Sequence, residues 1–263
     1  MRRAGFCLSA FTAAVLLPIA SAQPPAGWAT VKGQIVLPAN VAIPPRAQVN
    51  VTQDKAHCLS KGPILEDIVI VNPANRGIKN VVVWLRPNNP NVKATFAANE
   101  IHPGDANRKP ADVVIDQPCC MFVPRITLAR VGDTIVVKNP APVAHNFSWS
   151  SADNGEVNPI MQPGGQHKIG PLKAESSPIP YKCTIHPWMS GCVRIFDHPY
   201  ATLTDDDGKF TIPNAPVGNY AIVAWHEKVG FDNGKAGRTG TPVLINGPTT
   251  ELPPRPFVTT QKW

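Results

Sequence analysis

One cysteine, two histidines and one methionine have the types and spacing suited to binding a metal ion. Cys183, His186 and Met189 follow the spacing C-x2-H-x2-M, in a segment that reads as a loop between two strands, and His145 opens an earlier predicted strand. A thiolate, two imidazoles and a weak axial thioether form the ligand set of a mononuclear type 1 (blue) copper site. The thioether disfavours zinc, and Cys192 lies past the turn, too far along the chain to complete a dinuclear copper centre.

This ligand set indicates electron transfer rather than catalysis. It suits both Cu(I) and Cu(II), and four ligands positioned by one loop and a neighbouring strand would change little between the two states. Because the four ligands fill the coordination of the metal, no position is left for a substrate, and we expect no enzymatic activity. Two alternatives stay open: a copper carrier or storage protein, and a surface- or carbohydrate-binding module with an accessory copper site.

The composition predicts an all-β protein. Thirty of 263 residues are proline, which excludes a helical bundle, while 43% hydrophobic against 16% charged residues is enough apolar surface for a packed core. Residues 86–110 and 151–178 are expected to be loops, and the chain from 230 onward to wrap the surface or fray. The short β-rich segments, separated by turn residues, predict β-sandwiches; they are 31–37, 67–71, 80–85, 112–115, 125–130, 134–138, 145–149, 179–183, 193–196, 209–212 and 220–225.

Residues 111–197 resemble the cupredoxins, and among them the short ligand loop of amicyanin. The resemblance is carried by the run from Cys183 to Val193, with Pro187-Trp188 inside it, and by His145-Asn146 following the strand 132–139. It implies a Greek-key β-sandwich with one copper ion. It also implies that Asn146, together with Thr184 of the loop, ties the two ligand segments by hydrogen bonds.

A second resemblance, to the carboxypeptidase-regulatory or transthyretin-like β-sandwich, lies outside that region. It is carried by Thr204–Ile212 with its Asp-Asp-Gly turn, by Pro216–Ile222, and by a first strand at Val31–Val36. It implies a module split into residues 27–110 and 199–263, with the copper domain, residues 111–198, inserted between them. Two sequential domains are the alternative. Chains that combine the two modules also carry motifs matching His198-Pro199-Tyr200, Trp225-His226-Glu227 and Asp116-Gln117.

The N-terminus predicts export. Residues 1–22 combine Arg2-Arg3, an apolar run and Ala20-Ser21-Ala22, which is typical of a cleaved secretory signal peptide, and no other segment could cross a bilayer. A periplasmic or extracellular location permits disulfides. With Cys183 kept as a thiolate, four cysteines could pair in three connectivities; we expect Cys58 with Cys120 and Cys119 with Cys192.

The charge pattern favours a protein partner over a nucleic acid. Removal of Arg2 and Arg3 lowers the formal charge from +7 to +5, and the sequence contains no long Lys/Arg run. We expect the outer edge of His186, with Trp188, to reach an apolar surface patch where redox partners dock. The sequence does not indicate an oligomeric state.

Overall fold

The chain folds as an all-β protein, as the composition predicted. The computed structural model describes residues 27–263, so the predicted signal peptide lies outside the described residues. In the described part the helices are short: α1 (Lys55–Cys58), α2 (Pro103–Ala106) and the 3-10 segments Ala98–Glu100 and Gly234–Thr239. The strands are β1 (Trp28–Val36), β2 (Val82–Pro87), β3 (Asp112–Asp116), β4 (Ile126–Arg130), β5 (Thr134–Lys138), β6 (His145–Asn146), β7 (Ser148–Ser151), β8 (Gly155–Val157), β9 (Ile160–Met161), β10 (Gln166–Ile169), β11 (Ile179–Lys182), β12 (Ser190–Phe196), β13 (Ala201–Leu203), β14 (Lys209–Pro216), β15 (Gly218–His226), β16 (Gly230–Phe231), β17 (Thr241–Ile245), β18 (Thr249–Glu251) and β19 (Arg255–Pro256).

The middle of the chain forms one sandwich. Its sheets have the strand orders β10-β5-β3 and β4-β12-β11-β7-β8, and β6 pairs with β9 beside them. Alternate side chains of these strands meet in a shared core that includes Ile135, Trp149, Tyr181 and Val193. The segment 49–64, which precedes these strands in the chain, also packs on this core through Val51, Cys58 and Ile64.

The strands before and after the middle region pair with each other. One sheet has the order β14-β1-β18, with β19 also on β1, and the other has the order β13-β2-β15-β16, with β17 also on β15. Their facing side chains form a second core. The domain boundaries at 110/111 and 198/199 and the transthyretin-like identity stay predictions.

Two strands, β2 and β12, are buried on both faces, and they join the two halves of the molecule. Val83 and Leu85 of β2 enter the second core, whereas Val82 and Trp84 face a third cluster with Cys192 and Phe196 of β12. Because successive side chains point to opposite faces, the continuous apolar run in β2 marks a strand covered on both sides. The middle sandwich is therefore packed against the second one through a buried apolar contact.

Several local predictions were wrong. The expected loop at 151–178 contains the short strands β8, β9 and β10, and the tail beyond 230 contributes β16 to β19. The expected strand 67–71 forms only an isolated bridge, Val71 to Ile78. Within residues 27–263, no helix has the length and apolar character needed to cross a membrane.

One of the two expected disulfides is present. Cys58 and Cys120 are bonded, whereas Cys119 and Cys192 carry free thiols among the described residues. The pairing of Cys119 with Cys192 was wrong because Cys192 points from β12 into the cluster between the two sandwiches, while its neighbours Val193 and Ile195 face the middle core that Cys120 joins. Burial raises the pKa of the Cys192 thiol to about 12.

A buried arginine links the two halves of the molecule through ion pairs. Arg125, whose side chain is 7% exposed, forms a bidentate pair with Glu227 and contacts Asp67 Oδ1 at 2.6 Å. Its Nη2 also donates to Ser190 Oγ at 2.9 Å, directly after the predicted ligand Met189. This cluster links the second sandwich, through Glu227, to the end of the ligand loop.

We predict that Glu227→Ala destabilises the protein strongly. Removal of one partner leaves a buried guanidinium with incomplete compensation, which costs about 3 kcal/mol. Urea denaturation of the apoprotein measures the free energy of unfolding. Glu251→Ala is the matched control: its pair with Lys32 is 3.7 Å long and its side chain is 68% exposed, so its loss should change stability very little. Equal effects of the two variants would contradict the assignment of Arg125 as the buried link.

Candidate metal centre

The structure brings three of the predicted ligands together at one end of the middle sandwich. His145 stands in the two-residue strand β6, and Cys183 directly follows β11. His186 lies on the loop that joins β11 to β12. The donor atoms of these three residues lie within 4.8 Å of one another, and all three side chains are buried. The sequence signal was therefore sufficient to find a potential metal site, although the two segments are distant in the chain.

The loop that carries the ligands is closed by its own backbone. The Cys183 N–H donates to the Met189 carbonyl at 3.1 Å, and the Met189 N–H donates to the His186 carbonyl at 2.9 Å. Gly191 follows immediately, and a Cβ there would lie 2.3 Å from the Arg125 carbonyl oxygen and 2.6 Å from the Tyr181 ring. Only glycine permits this approach, so the loop re-enters the sheet at a fixed point.

Two imidazole nitrogens converge inside the site. His145 Nδ1 and His186 Nδ1 are 2.9 Å apart, and Cys183 Sγ is 3.8 Å from His186 Nδ1. Two lone pairs at this distance repel unless a proton or a cation lies between them. His145 Nε2 is buried and has no hydrogen-bond partner, so no outer contact fixes which nitrogen of that ring carries the proton. This donor set fits a soft metal ion.

The environment of Cys183 favours the thiolate. Burial opposes ionisation, but hydrogen bonds from His145 and His186 and from the backbone N–H groups of Asn146 and His186 outweigh it, lowering the pKa of Cys183 to about 6. A thiolate is the form that binds metals. For His186, burial favours the neutral imidazole and lowers the pKa. Its contacts with Cys183 and Asp54 outweigh burial, so the pKa of His186 is raised overall.

Met189 occupies a buried position at the end of the same loop. Its side chain is 2% exposed and belongs to the middle core, together with Cys183. Its neighbour Ser190 is held by Arg125.

Asn146 joins the two ligand segments. Its Oδ1 accepts hydrogen bonds from the Thr184 N–H at 2.7 Å and from the Ile185 N–H at 3.3 Å, and the Cys183 thiol lies 3.1 Å from it. Its Nδ2 donates to Asn158 Oδ1 at 2.6 Å. One buried amide thereby fixes the start of the ligand loop relative to β6. Thr184 takes part through its backbone, not its side chain.

The expectation that His186 presents an edge to solvent was wrong. Its ring is 0% exposed because residues 54–58 lie over it, and His186 Nε2 is 2.9 Å from Asp54 Oδ2. Trp188 is partly exposed, and its Nε1 donates to the Cys120 carbonyl at 3.1 Å. Sequence reasoning missed Asp54, and the expected Cys58–Cys120 bond was the one signal that could have brought its segment to the site.

Comparisons with known proteins give structural likeness only. No protein-family model and no curated protein matches the chain. Similar solved structures include a purple cupredoxin from Nitrosopumilus maritimus, with 22% identity, 32% of this chain and 100% of that chain covered, and a TM-score of 0.28. A Cu(I) form of an amicyanin variant has 22% identity, with 43% of this chain and 98% of that chain covered, and a TM-score of 0.30.

We predict that Asn146→Ala loosens the ligand loop of the apoprotein. The loss of its buried oxygen leaves the N–H groups of Thr184 and Ile185 without their acceptor, at a cost of about 1–3 kcal/mol. The amide of Thr184 should exchange with deuterium faster, as measured by NMR. The control is Asn91→Ala, since Asn91 is exposed and its side chain accepts one local hydrogen bond, from the Lys93 N–H. Unchanged exchange at Thr184 in Asn146→Ala would contradict the role of Asn146.

Proposed function

We propose that this protein is an exported one-electron carrier with a single type 1 copper ion. The observation that carries the proposal is the buried group of His145, Cys183 and His186, whose donor atoms lie within 4.8 Å of one another. A bound copper ion would carry one electron at a time by alternating between Cu(I) and Cu(II). The imidazoles of His145 and His186 and the Cys183 thiolate would hold it, with Met189 as a fourth and weaker ligand.

The role of the protein in this proposal is to keep the ligands in one arrangement. Asn146 fixes the two ligand segments together, the backbone bonds of Cys183 and Met189 close the loop, and Arg125 anchors Ser190 at its end. Ligands held in this way move little when the charge of the site changes, and a small reorganisation favours rapid electron transfer. Burial also excludes water from the donor atoms.

The same enclosure argues against a copper carrier or storage protein. A protein that passes copper to a partner needs ligands that the partner can reach, whereas His145 and His186 are each 0% exposed and Cys183 is 1% exposed.

A carbohydrate-binding face would be supported by a row of exposed aromatic rings. In the described residues, the exposed large hydrophobic side chains are aliphatic ones, such as Val123 and Leu244. We propose that the protein is not an enzyme.

The proposal predicts a spectrum that depends on one thiol. The mature protein should bind one equivalent of Cu(II), develop an intense visible thiolate-to-copper band with narrow EPR hyperfine splitting, and cycle reversibly by one electron. Cys183→Ala should abolish the band while the circular dichroism spectrum stays that of the folded protein. The band should persist in the matched control Cys119→Ala, which removes a free thiol outside the site. A folded wild-type protein without this band would refute the proposal.

A further inference from the structure

A short cover lies over the outer face of His186. It consists of Asp54 and the single turn α1, and Cys58 at its end is bonded to Cys120. The Asp54 carboxylate is 2.9 Å from His186 Nε2 and is itself 40% exposed, whereas His186 is fully buried. The hydrogen bond therefore links a buried imidazole to a carboxylate that is partly exposed to solvent.

The contact determines which nitrogen of His186 carries the proton. A carboxylate is a hydrogen-bond acceptor, so Nε2 must be the donor in this pair. In the neutral ring, Nδ1 then has a free lone pair, and Nδ1 is the atom that faces His145 Nδ1 and Cys183 Sγ. The inner nitrogen is thus presented as a ligand before any metal is bound.

The cover is fixed at both ends. The Asp54 carbonyl accepts hydrogen bonds from the N–H groups of His57 and Cys58, which holds Asp54 at the start of the turn. The disulfide continues to Cys120, whose carbonyl accepts from Trp188 on the ligand loop. The two contacts, one on His186 and one on Trp188, are therefore joined by a covalent link, so that the carboxylate stays aligned with the ring.

We propose that Asp54 is a positioning residue of the copper site, fixing His186 as the Nε2–H tautomer and adding negative charge to the imidazole. This inference rests on the proposed function. A carboxylate behind a ligating histidine orients the ring and raises its basicity. The added negative charge stabilises Cu(II) relative to Cu(I), because the more highly charged ion gains more from it. Asp54 therefore strengthens Cu(II) binding and lowers the reduction potential.

Two variants separate the hydrogen bond from the charge. Asp54→Asn retains an acceptor oxygen but removes the charge, and Asp54→Ala removes both. Asp153→Asn is the charge-matched control, because Asp153 lies in the exposed β7–β8 turn. Three quantities are measured for each protein: the imidazole ¹⁵N NMR shifts of the apoprotein, the Cu(II) affinity by competition with a chelator, and the reduction potential.

In the wild-type apoprotein we expect the Nε2–H tautomer of His186. Asp54→Ala should lose this preference and bind Cu(II) more weakly by about 10–100-fold. Asp54→Asn should keep the tautomer and shift the potential upward, while Asp153→Asn should match the wild type. A wild-type Nδ1–H tautomer, an unchanged affinity in Asp54→Ala, or an equal shift of the potential in Asp153→Asn would each overturn the inference.

The two proposals fail in different ways. If the wild-type protein does not form the thiolate-to-copper band, the proposed function fails, and the apoprotein NMR measurement still reports on Asp54. If the band forms normally but the Asp54 variants leave tautomer, affinity and potential unchanged, the proposed function stands and the positioning role is wrong. Near-ultraviolet circular dichroism of each apoprotein shows that the variants are folded.

Discussion

Two imidazole nitrogens and a thiol converge at one buried point, and most of the contacts around them serve to hold them there. His145 Nδ1 and His186 Nδ1 lie 2.9 Å apart, and Cys183 Sγ is close to both rings. Groups with lone pairs repel in such an arrangement, and burial removes the water that would screen them. The surrounding contacts must therefore hold them together: Asn146 from the side of β6, the closed backbone of the ligand loop, and the cover formed by residues 54–58.

The second half of the molecule contributes to this rigidity through the contact between the sandwiches. The strand β2 is buried on both faces, and β12, which continues directly from the ligand loop, packs its Cys192 face against β2 and β15. Arg125 adds a charged link, since its guanidinium contacts Glu227 of the second sandwich and Ser190 of the loop. The loop is thus supported by a scaffold larger than the sandwich that carries it. Glu227 of the motif Trp225-His226-Glu227 thereby supports the ligand loop through Arg125.

Residue types and local spacing were enough to predict the all-β class and the three donors that the structure brings together. Cys183, His186 and Met189 lie close together on one loop, and His145 lies at the start of a strand. The residue types and spacing of a metal site can therefore be read directly from the sequence. Asp54 was not predictable in this way, because its contact with His186 joins residues 132 positions apart and only the tertiary fold creates it. The same holds for the pairing of Cys119 with Cys192: the sequence shows which residues are cysteines, whereas the face of β12 decides where Cys192 points. Strands β8 to β10 were missed because each is only two to four residues long and lies among turn residues.

We propose that one preformed set of ligands holds copper in both oxidation states. Copper K-edge X-ray absorption of the loaded protein, recorded oxidised and reduced, tests this directly, because it reports the atoms around the metal and their distances. A single preformed ligand set predicts two imidazole nitrogens and one short thiolate sulfur in both states, with distances that change little on reduction. A shell without sulfur, or the loss of an imidazole on reduction, would contradict it.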